Sequence, residues 1–431
     1  MIRAIHGGST PFFCVFCFLA ACSSETGPAF SVPERAAQQI STELEDGGLQ
    51  VTPDGGFLNA NPTYRAVATS ILTTNPGGDA KLIEAARLQS QALDQTLLPQ
   101  FRPTASVNQD GDPVARLGVT QIVFSNGQFQ AEKGALRAGE IEAIATYLVS
   151  SNQRVADGIT AYLEVDFFSR LTETARDLEM RFQTLVDQAE RRVSGGVGDE
   201  TEIATFRLKL LEAQSDIQTN RANRALAEAR LRDLTAGLDL PATPPAMQTV
   251  PPRAEPPEVV LLLAEVAAAE SDLALERARR RPALSLEAFS ETNLSTGTTD
   301  DGLSLGVGVS MPLGLKNGLE IDAAEARLTA LEAELATTRA DLAREVAQLR
   351  ARIDSETARL AVLTRLVTAA RERTDDFEAQ FLSGTVSLEE AVSVLDTYRR
   401  SQDQLTEARN EVLKAQLDIA RIFGQLMPGT G

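Results

Sequence analysis

The most regular hydrophobic pattern in the chain runs from Leu319 to Phe381 and predicts one continuous helix. Apolar residues recur there at alternating steps of three and four, which places them on one face of a coiled-coil helix. This stripe, called the seam, consists of Ile321, Ala324, Leu328, Leu331, Leu335, Thr338, Leu342, Val346, Leu349, Ile353, Glu356, Leu360, Leu363, Val367, Ala370, Thr374, Phe377 and Phe381. At Leu342 and Val346 a second successive step of four forms a stutter, which locally unwinds a supercoil. A stutter suits a bundle that opens into a wider ring, but it is also common in coiled coils where it has no function.

Four shorter segments have a period of two and predict two pairs of β-strands, at 101–109 and 115–124 and at 283–290 and 303–311. In the last segment, apolar side chains alternate with polar or small ones. The apolar positions are Leu303, Leu305, Val307, Val309 and Met311, and between them lie Ser304, Gly306, Gly308 and Ser310. A membrane-barrel strand has this alternation, and so does a sandwich strand with one solvated face. We favour the barrel because each strand pair continues into a helix too long for a sandwich.

The chain contains the same unit twice, at 60–239 and at 258–426. Each unit has a strand pair, a long helix, a Gly-rich turn and a return helix that opens on a capping residue. The caps are Asp199, with Glu202 three residues on, and Ser387, with Glu390 three residues on. Between the units, residues 240–257 contain seven prolines and predict an extended linker on the outside. A short tail, 427–431, follows the second unit.

Four strands cannot close a barrel, and lipid does not tolerate an open sheet edge. Membrane barrels begin at about eight strands, so the chain must share its strands with other copies. Two copies would form a plugged barrel of about eight strands, and three would form one of about twelve with a lumen. The strand count therefore predicts an oligomer without fixing the number of copies.

Composition narrows the possible functions. The formal charge of −19 leaves no basic stripe to neutralise phosphates, so nucleic acid is not an expected partner. Three cysteines and the single histidine all lie within the first 22 residues. Cleavage before Cys22 would leave one Cys and no His, which excludes Ser–His and Cys–His catalysis and a His/Cys zinc site. We expect no enzymatic activity, no cofactor and no metal.

The beginning of the chain predicts export. A positive Arg3 and an apolar run precede Leu19-Ala20-Ala21-Cys22. This tetrapeptide resembles a bacterial lipobox, in which the Cys becomes the lipidated first residue; the alternative is an ordinary signal peptide with a chance Cys. We expect a signal peptide at 1–21, lipidation of Cys22 and a lipidated tether at 22–59.

With the lipobox, the doubled unit and two Gly-rich turns, the chain resembles the TolC family of outer-membrane efflux proteins. Local resemblances are Asn75-Pro76, Leu98-Pro99-Gln100 and Met311-Pro312-Leu313-Gly314 ahead of Asn317-Gly318. The resemblance implies a mainly α fold with a small β part. In it, long coiled-coil hairpins form a periplasmic α-barrel, and each protomer of a homotrimer gives four strands to a shared 12-stranded transmembrane β-barrel. Such a protein spans the outer membrane of a Gram-negative bacterium and passively conducts substrates from a periplasmic adaptor and an inner-membrane pump to the exterior.

The resemblance also assigns roles to residues near the two Gly-rich turns. The turns would be the tips that contact the adaptor, formed by Val193, Gly195, Gly196, Val197, Ser383, Gly384, Thr385 and Val386. Glu390, six residues after Gly384, would form an acidic constriction of the tunnel. Ser393 stands where a second acid is expected, so Asp396 is the other candidate.

Two further functions fit parts of the pattern. A periplasmic adaptor lipoprotein has one helical hairpin flanked by lipoyl-like strand halves, whereas this chain has two hairpins and ends in a helix. A structural coiled-coil lipoprotein of the envelope has no need of the strands. The exit duct is therefore the preferred interpretation.

Overall fold

The computed structural model describes residues 56–74, 77–107, 111–196, 199–252, 254–294, 303–311, 316–382 and 387–427. The predicted signal peptide, the lipidation site at Cys22 and most of the tether lie outside these residues. The described part of the tether, 56–59, is not a free chain, because Phe57 and Leu58 are buried in a short helix. None of the described helices combines the length and the apolarity that crossing a membrane requires.

Helices dominate the structure, and the predicted mainly α fold with a small β part is confirmed. The elements in chain order are α1 (Gly56–Ala60), α2 (Pro62–Thr74), α3 (Asp79–Asp94), a 3₁₀ turn (Gln95–Leu97), β1 (Gln100–Val107), β2 (Pro113–Phe124), α4 (Gln128–Ser194), α5 (Glu200–Thr235), α6 (Pro257–Arg279), β3 (Ala283–Asn293), β4 (Ser304–Ser310), α7 (Lys316–Leu382) and α8 (Leu388–Ile422). α4 and α7 each have 67 residues, about 100 Å at 1.5 Å per residue. The second hairpin repeats the spacing of the first along the chain. α4 begins at residue 128 and α7 at 316, and α5 begins at 200 and α8 at 388, so each pair of corresponding helices is the same number of residues apart.

The two hairpins pack together near their turns as a four-helix bundle. Its core contains Leu178, Phe182, Leu185, Val186 and Ala189 from α4, Phe206 and Ala213 from α5, Ala370 and Phe381 from α7, and Ala391, Leu395 and Tyr398 from α8. The Phe206 and Phe381 rings meet edge to face, with their centroids 5.4 Å apart. Because the core draws on all four helices, neither hairpin buries its apolar face alone.

The seam predicted along α7 is confirmed by the burial of its residues. From Ile321 to Phe381, every seam residue is buried or half-buried, and every other residue except Glu378 is exposed. Within one chain, α7 therefore buries a single narrow stripe.

The stutter at Leu342 and Val346 lies where α7 changes its packing partner. These two residues cluster with Val259 at the start of α6 and with Ile422 at the end of α8. On one side of this level α7 packs against α6, and on the other it packs against α8, as the Arg421 to Glu345 ion pair at 3.8 Å indicates. The extra residue of the stutter thus turns the seam from one partner towards the next.

The Pro-rich segment between the repeats is more firmly attached than the linker that the sequence predicts. Most of this segment is exposed, but residues 241–252, called the strap, are held by buried side chains. Asn61 donates from Nδ2 to the Gln248 carbonyl at 3.0 Å and accepts at Oδ1 from the Gln248 N–H at 2.9 Å. Pro257 is helical, as the first residue of α6.

Two buried tyrosines extend the attachment of the strap. The hydroxyl of Tyr64 donates to the Pro245 carbonyl at 2.7 Å, and that of Tyr162 donates to the Pro241 carbonyl at 2.7 Å. A proline-rich chain lacks N–H groups for regular pairing, so its carbonyls are open to such donors. The strap therefore closes over a core formed by α1, α2, α4 and the end of α8.

We predict that Asn61→Ala destabilises the fold by about 1–3 kcal/mol, because it leaves the Gln248 N–H and carbonyl without their buried partner. Denaturant unfolding of the purified protein, followed by circular dichroism, measures the change. Thr69→Ala is the control, since Thr69 is exposed and its hydroxyl bonds only within α2. Equal stability of Asn61→Ala and the control would show that the strap contributes nothing.

Candidate functional site

The four strands form one antiparallel sheet in the order β1-β2-β3-β4. β2 lies between β1 and β3, and β4 pairs only with β3. Within the described residues, the outer edges of β1 and β4 have no strand beside them. The sheet is therefore open on both sides.

One face of this sheet is apolar and open to the surroundings. Residues directly opposite each other on paired strands share a face, so the register identifies its members. They include Phe101, Pro103, Ala105 and Val107 on β1, Ala115, Leu117 and Val119 on β2, Leu286 and Ala288 on β3, and Leu305 and Val307 on β4, with Gln121, Ser290 and Thr292 as polar exceptions. Phe101 is 72% exposed, and Leu305 and Val307 are each 71% exposed. An exposed apolar surface of this size needs an apolar partner.

The opposite face is mainly polar. Its members include Arg102, Thr104 and Ser106 on β1, Arg116 and Thr120 on β2, Ser285, Glu287, Phe289 and Glu291 on β3, and Ser304, Gly306, Gly308 and Ser310 on β4, with Val114 and Ile122 of β2 as apolar exceptions. A Cβ added at Gly308 would lie 2.5 Å from the Ser285 hydroxyl and 3.1 Å from Oε1 of Glu287. A Cβ added at Gly306, on the same face, would meet no atom within 4 Å. The sheet thus has one mainly apolar face and one mainly polar face.

At the first Gly-rich turn, Val193 is half-buried and Gly195 and Gly196 are exposed. The Gly195 N–H donates to the Arg191 carbonyl, and the Gly196 N–H donates to the Val193 carbonyl, each at 3.0 Å. Gly196 has a φ of +75°, which favours glycine whatever contacts the turn makes. Val197 and the predicted second tip, Ser383, Gly384, Thr385 and Val386, lie outside the described residues.

Both predicted helix caps next to the turns are present. The Asp199 carboxylate accepts from the Thr201 backbone N–H at 3.0 Å, and hydrogen bonds from Thr201 lower its pKa. The Ser387 hydroxyl accepts from the Glu390 backbone N–H at 3.3 Å. Each return helix therefore starts at a fixed residue, which sets the direction of its first turn.

The two candidate constriction residues have different surroundings. Glu390 is exposed, and no basic side chain in the described part of the chain lies within ion-pair distance of it. Asp396 is half-buried and lies 3.5 Å from the Lys209 ammonium on α5. Of the two candidates, Glu390 is therefore the one whose carboxylate has no ion pair within the described residues.

An arginine that the sequence patterns did not single out ties the two hairpins together. Arg181 of α4 donates to Asp375 at 2.9 Å and to Glu378 at 2.7 Å, both on α7, and to Asp177 on its own helix. Burial disfavours its charge, but the hydrogen bonds to Glu378 and Asp375 raise its pKa. Its guanidinium also lies over the Tyr398 ring, 5.5 Å from the centroid. No spacing pattern points to this network, because Arg181 is separated from Asp375 and Glu378 by 194 and 197 residues along the chain.

Glu270 is half-buried between α6 and α7, and one of its carboxylate oxygens is shielded. Oε2 of Glu270 on α6 has no hydrogen bond, although it is shielded from solvent. Burial, with the negative Glu332 of α7 nearby, raises the pKa of Glu270. A group of this kind weakens the packing of α6 on α7 at neutral pH.

Comparisons with known proteins agree with this geometry. Residues 253–425 match the family model of the outer membrane efflux protein. The outer-membrane channel OprN superposes with a TM-score of 0.78 at 17% identity, covering 93% of this chain and 98% of its own. VceC, an outer membrane protein of Vibrio cholerae, gives a TM-score of 0.75 at 14% identity, with 86% and 99% covered. The CmeC outer membrane channel of Campylobacter jejuni gives a TM-score of 0.70 at 13% identity, with 85% and 86% covered. Curated protein sequences give no match.

The match to the outer membrane efflux protein family covers nearly all of the second repeat. The chain as a whole has the fold of these efflux channels, so the resemblance to the TolC family is confirmed.

We predict that Arg181→Met destabilises the packing of the hairpins by about 1–3 kcal/mol, because it leaves three carboxylates without their cation. Arg207→Met is the matched control, since Arg207 pairs only with Glu190 at an exposed position, a pair worth less than about 1 kcal/mol. Denaturant unfolding of both variants measures the difference. A loss no greater than that of the control contradicts the assigned role.

We predict that Glu270→Gln stabilises the protein at pH 8 and that the gain shrinks as the pH falls. A raised pKa means that the folded state holds its proton more tightly, so the wild type regains stability as the pH falls through that pKa. Thermal unfolding of both proteins between pH 8 and about pH 4, near the pKa of an unfolded Glu, measures this. A gain in stability that stays constant with pH would show that it does not come from the ionisation of Glu270.

Proposed function

We propose that the chain is one protomer of a trimeric exit duct in the outer membrane of a Gram-negative bacterium. It passively conducts substrates that an inner-membrane pump delivers through a periplasmic adaptor. The observation that carries the proposal is the open sheet with one mainly apolar face and one mainly polar face. Outer membrane efflux proteins conduct rather than catalyse, and we assign the chain no reaction, cofactor or metal.

The two free edges of the sheet support the sharing of a barrel among copies. In lipid, the backbone groups along β1 and β4 need partners, and β4 of one protomer can pair with β1 of the next. Three protomers give a barrel of about twelve strands, wide enough for a water-filled lumen. The apolar side chains then contact lipid, and the polar face lines the water.

The helical hairpins extend this duct away from the membrane. Each strand pair is joined directly to its long helix, since β2 ends at Phe124 and α4 begins at Gln128. We propose that the turns at the far ends contact the adaptor, at Val193, Gly195, Gly196 and Val197 and at Ser383, Gly384, Thr385 and Val386. Lipidation of Cys22 would add a second attachment to the same membrane.

Glu390 is the stronger candidate for an acidic constriction near the tips. Its carboxylate is exposed and has no basic partner within the described residues, whereas Asp396 is paired with Lys209. Three copies of Glu390 around an axis would raise the local negative potential and favour cations. Asp396 contributes to such a ring only if its ion pair opens.

The two alternative functions explain less of the structure. An adaptor lipoprotein does not account for two helical hairpins of matched length with a shared sheet. A structural coiled-coil lipoprotein does not account for an exposed apolar sheet face opposite a polar one. The structural neighbours are outer-membrane channels, which favours the duct over both.

We predict that Val307→Lys prevents assembly in the membrane, whereas Gly306→Lys is tolerated. The two residues are adjacent on β4 but lie on opposite faces. A lysine on the lipid face costs about 2–4 kcal/mol at mid-membrane depth in each copy. A Cβ at Gly306 meets no other atom within 4 Å, so the control has room on the inner face.

Membrane fractionation followed by single-channel recording in planar bilayers measures both variants. The wild type and Gly306→Lys should form stable channels of the same trimeric size, and Val307→Lys should not. Conductance that survives Val307→Lys and is lost in Gly306→Lys would reverse the assignment of the faces. A wild-type protein that stays monomeric and non-conducting would overturn the duct itself.

A further inference from the structure

A stacked cation lies on the polar face of the sheet. The guanidinium carbon of Arg116 on β2 lies 3.4 Å from the centroid of the Phe289 ring on β3. At this distance the planar guanidinium is attracted to the face of the ring, which fixes where the charge sits. Phe289 is an aromatic residue on a face of mainly polar and small side chains, and the stack gives it a role there.

The stack lies towards the end of the sheet that is farther from the helices. β2 begins at Pro113 and continues into α4 after Phe124, so Arg116 lies near its free end. β3 follows α6 and ends at Asn293, so Phe289 also lies in its far half. In the proposed duct, this end of the sheet is the outer mouth.

The positive charge of Arg116 is not cancelled by an ion pair. Its direct neighbours across the strands are Thr104 and Glu291. Nevertheless, no carboxylate in the described part of the chain lies within 4.0 Å of its guanidinium. Arginine stays protonated at any physiological pH, so this charge is permanent. The ring positions the guanidinium and leaves its N–H donors available to a passing anion.

We propose that Arg116, held on Phe289, is a selectivity residue of the outer mouth that attracts anionic groups and opposes cations. The ligand chemistry is a carboxylate, phosphate or small inorganic anion in transit through the lumen. The inference rests on the proposed function, because only a barrel turns the polar face inward. A closed trimer places three such cations around one opening, and a ring of charge at a narrow mouth biases the ions that pass.

Reversal potentials of wild-type channels in a potassium chloride gradient test the proposal. Arg116→Gln should raise the permeability of potassium relative to chloride on the order of twofold, since it removes the cation that lies opposite Glu291. Arg116→Lys keeps the charge and should stay near the wild type. Phe289→Leu keeps the charge of Arg116 but removes the ring that positions it. We therefore expect the relative permeability of potassium to rise by less than in Arg116→Gln.

Arg102→Gln is the matched control, because Arg102 lies on the same face but nearer the helices. An equal shift in this control would mean that any charge on the face has the same effect, which overturns the assignment to Arg116. Unchanged reversal potentials in Arg116→Gln overturn it as well. If Arg116→Gln does not assemble, Glu291→Gln is the alternative variant, because it removes a negative charge instead of a positive one at the same end of the sheet. It should shift the selectivity towards chloride, and no shift would refute the proposal.

The two proposals fail separately in this experiment. A wild type that forms no channels refutes the duct and the selectivity residue together. Wild-type channels whose selectivity ignores Arg116 leave the duct standing and refute only the selectivity residue.

Discussion

The strongest constraint on this protein is that a sheet edge cannot be left unpaired in lipid. β1 and β4 each present a row of backbone N–H and C=O groups beyond the last described pairing. Water would satisfy these groups, but in hydrocarbon each orphan costs several kcal/mol. In lipid, the edge strands β1 and β4 are therefore the part of the chain that needs hydrogen-bond partners from other chains. In the proposed trimer, the symmetry of the shared barrel would extend to the helices, because each strand pair is joined to a hairpin through a few residues.

The two long helices differ in how much of their surface packs within the chain. α7 buries one stripe within its own chain and exposes the rest, whereas α4 packs against α2, α3, α5, α6 and α8. The stutter in the seam has a local cause, since at that level α7 leaves α6 and meets α8. The sequence left two explanations for the stutter, a bundle that widens and an irregularity without function. In the structure, the stutter accompanies a change of packing partner.

Much of this architecture could be predicted because it depends on regular spacings of apolar residues along the chain. The three-and-four spacing identified every residue of α7 that is buried, and the alternation in 303–311 identified the two faces of β4. The caps at Asp199 and Ser387 follow from short-range chemistry. The Arg181 network, the Arg116 stack and the ties on the strap could not be predicted, because each joins residues far apart in the chain. Periodicity shows which side of an element is covered but not which side chain covers it.

The equal lengths of the two hairpins limit how such a duct changes in evolution. Cross-links such as Arg181 to Asp375 and Lys209 to Asp396 couple the hairpins at fixed heights. An insertion in α7 alone would rotate everything beyond it by about 100° per residue and break those couplings. Whole heptads added to all four helices together would preserve them. Reach across the compartment is therefore expected to vary among relatives in increments of about 10 Å, by matched insertions in both halves of the gene product.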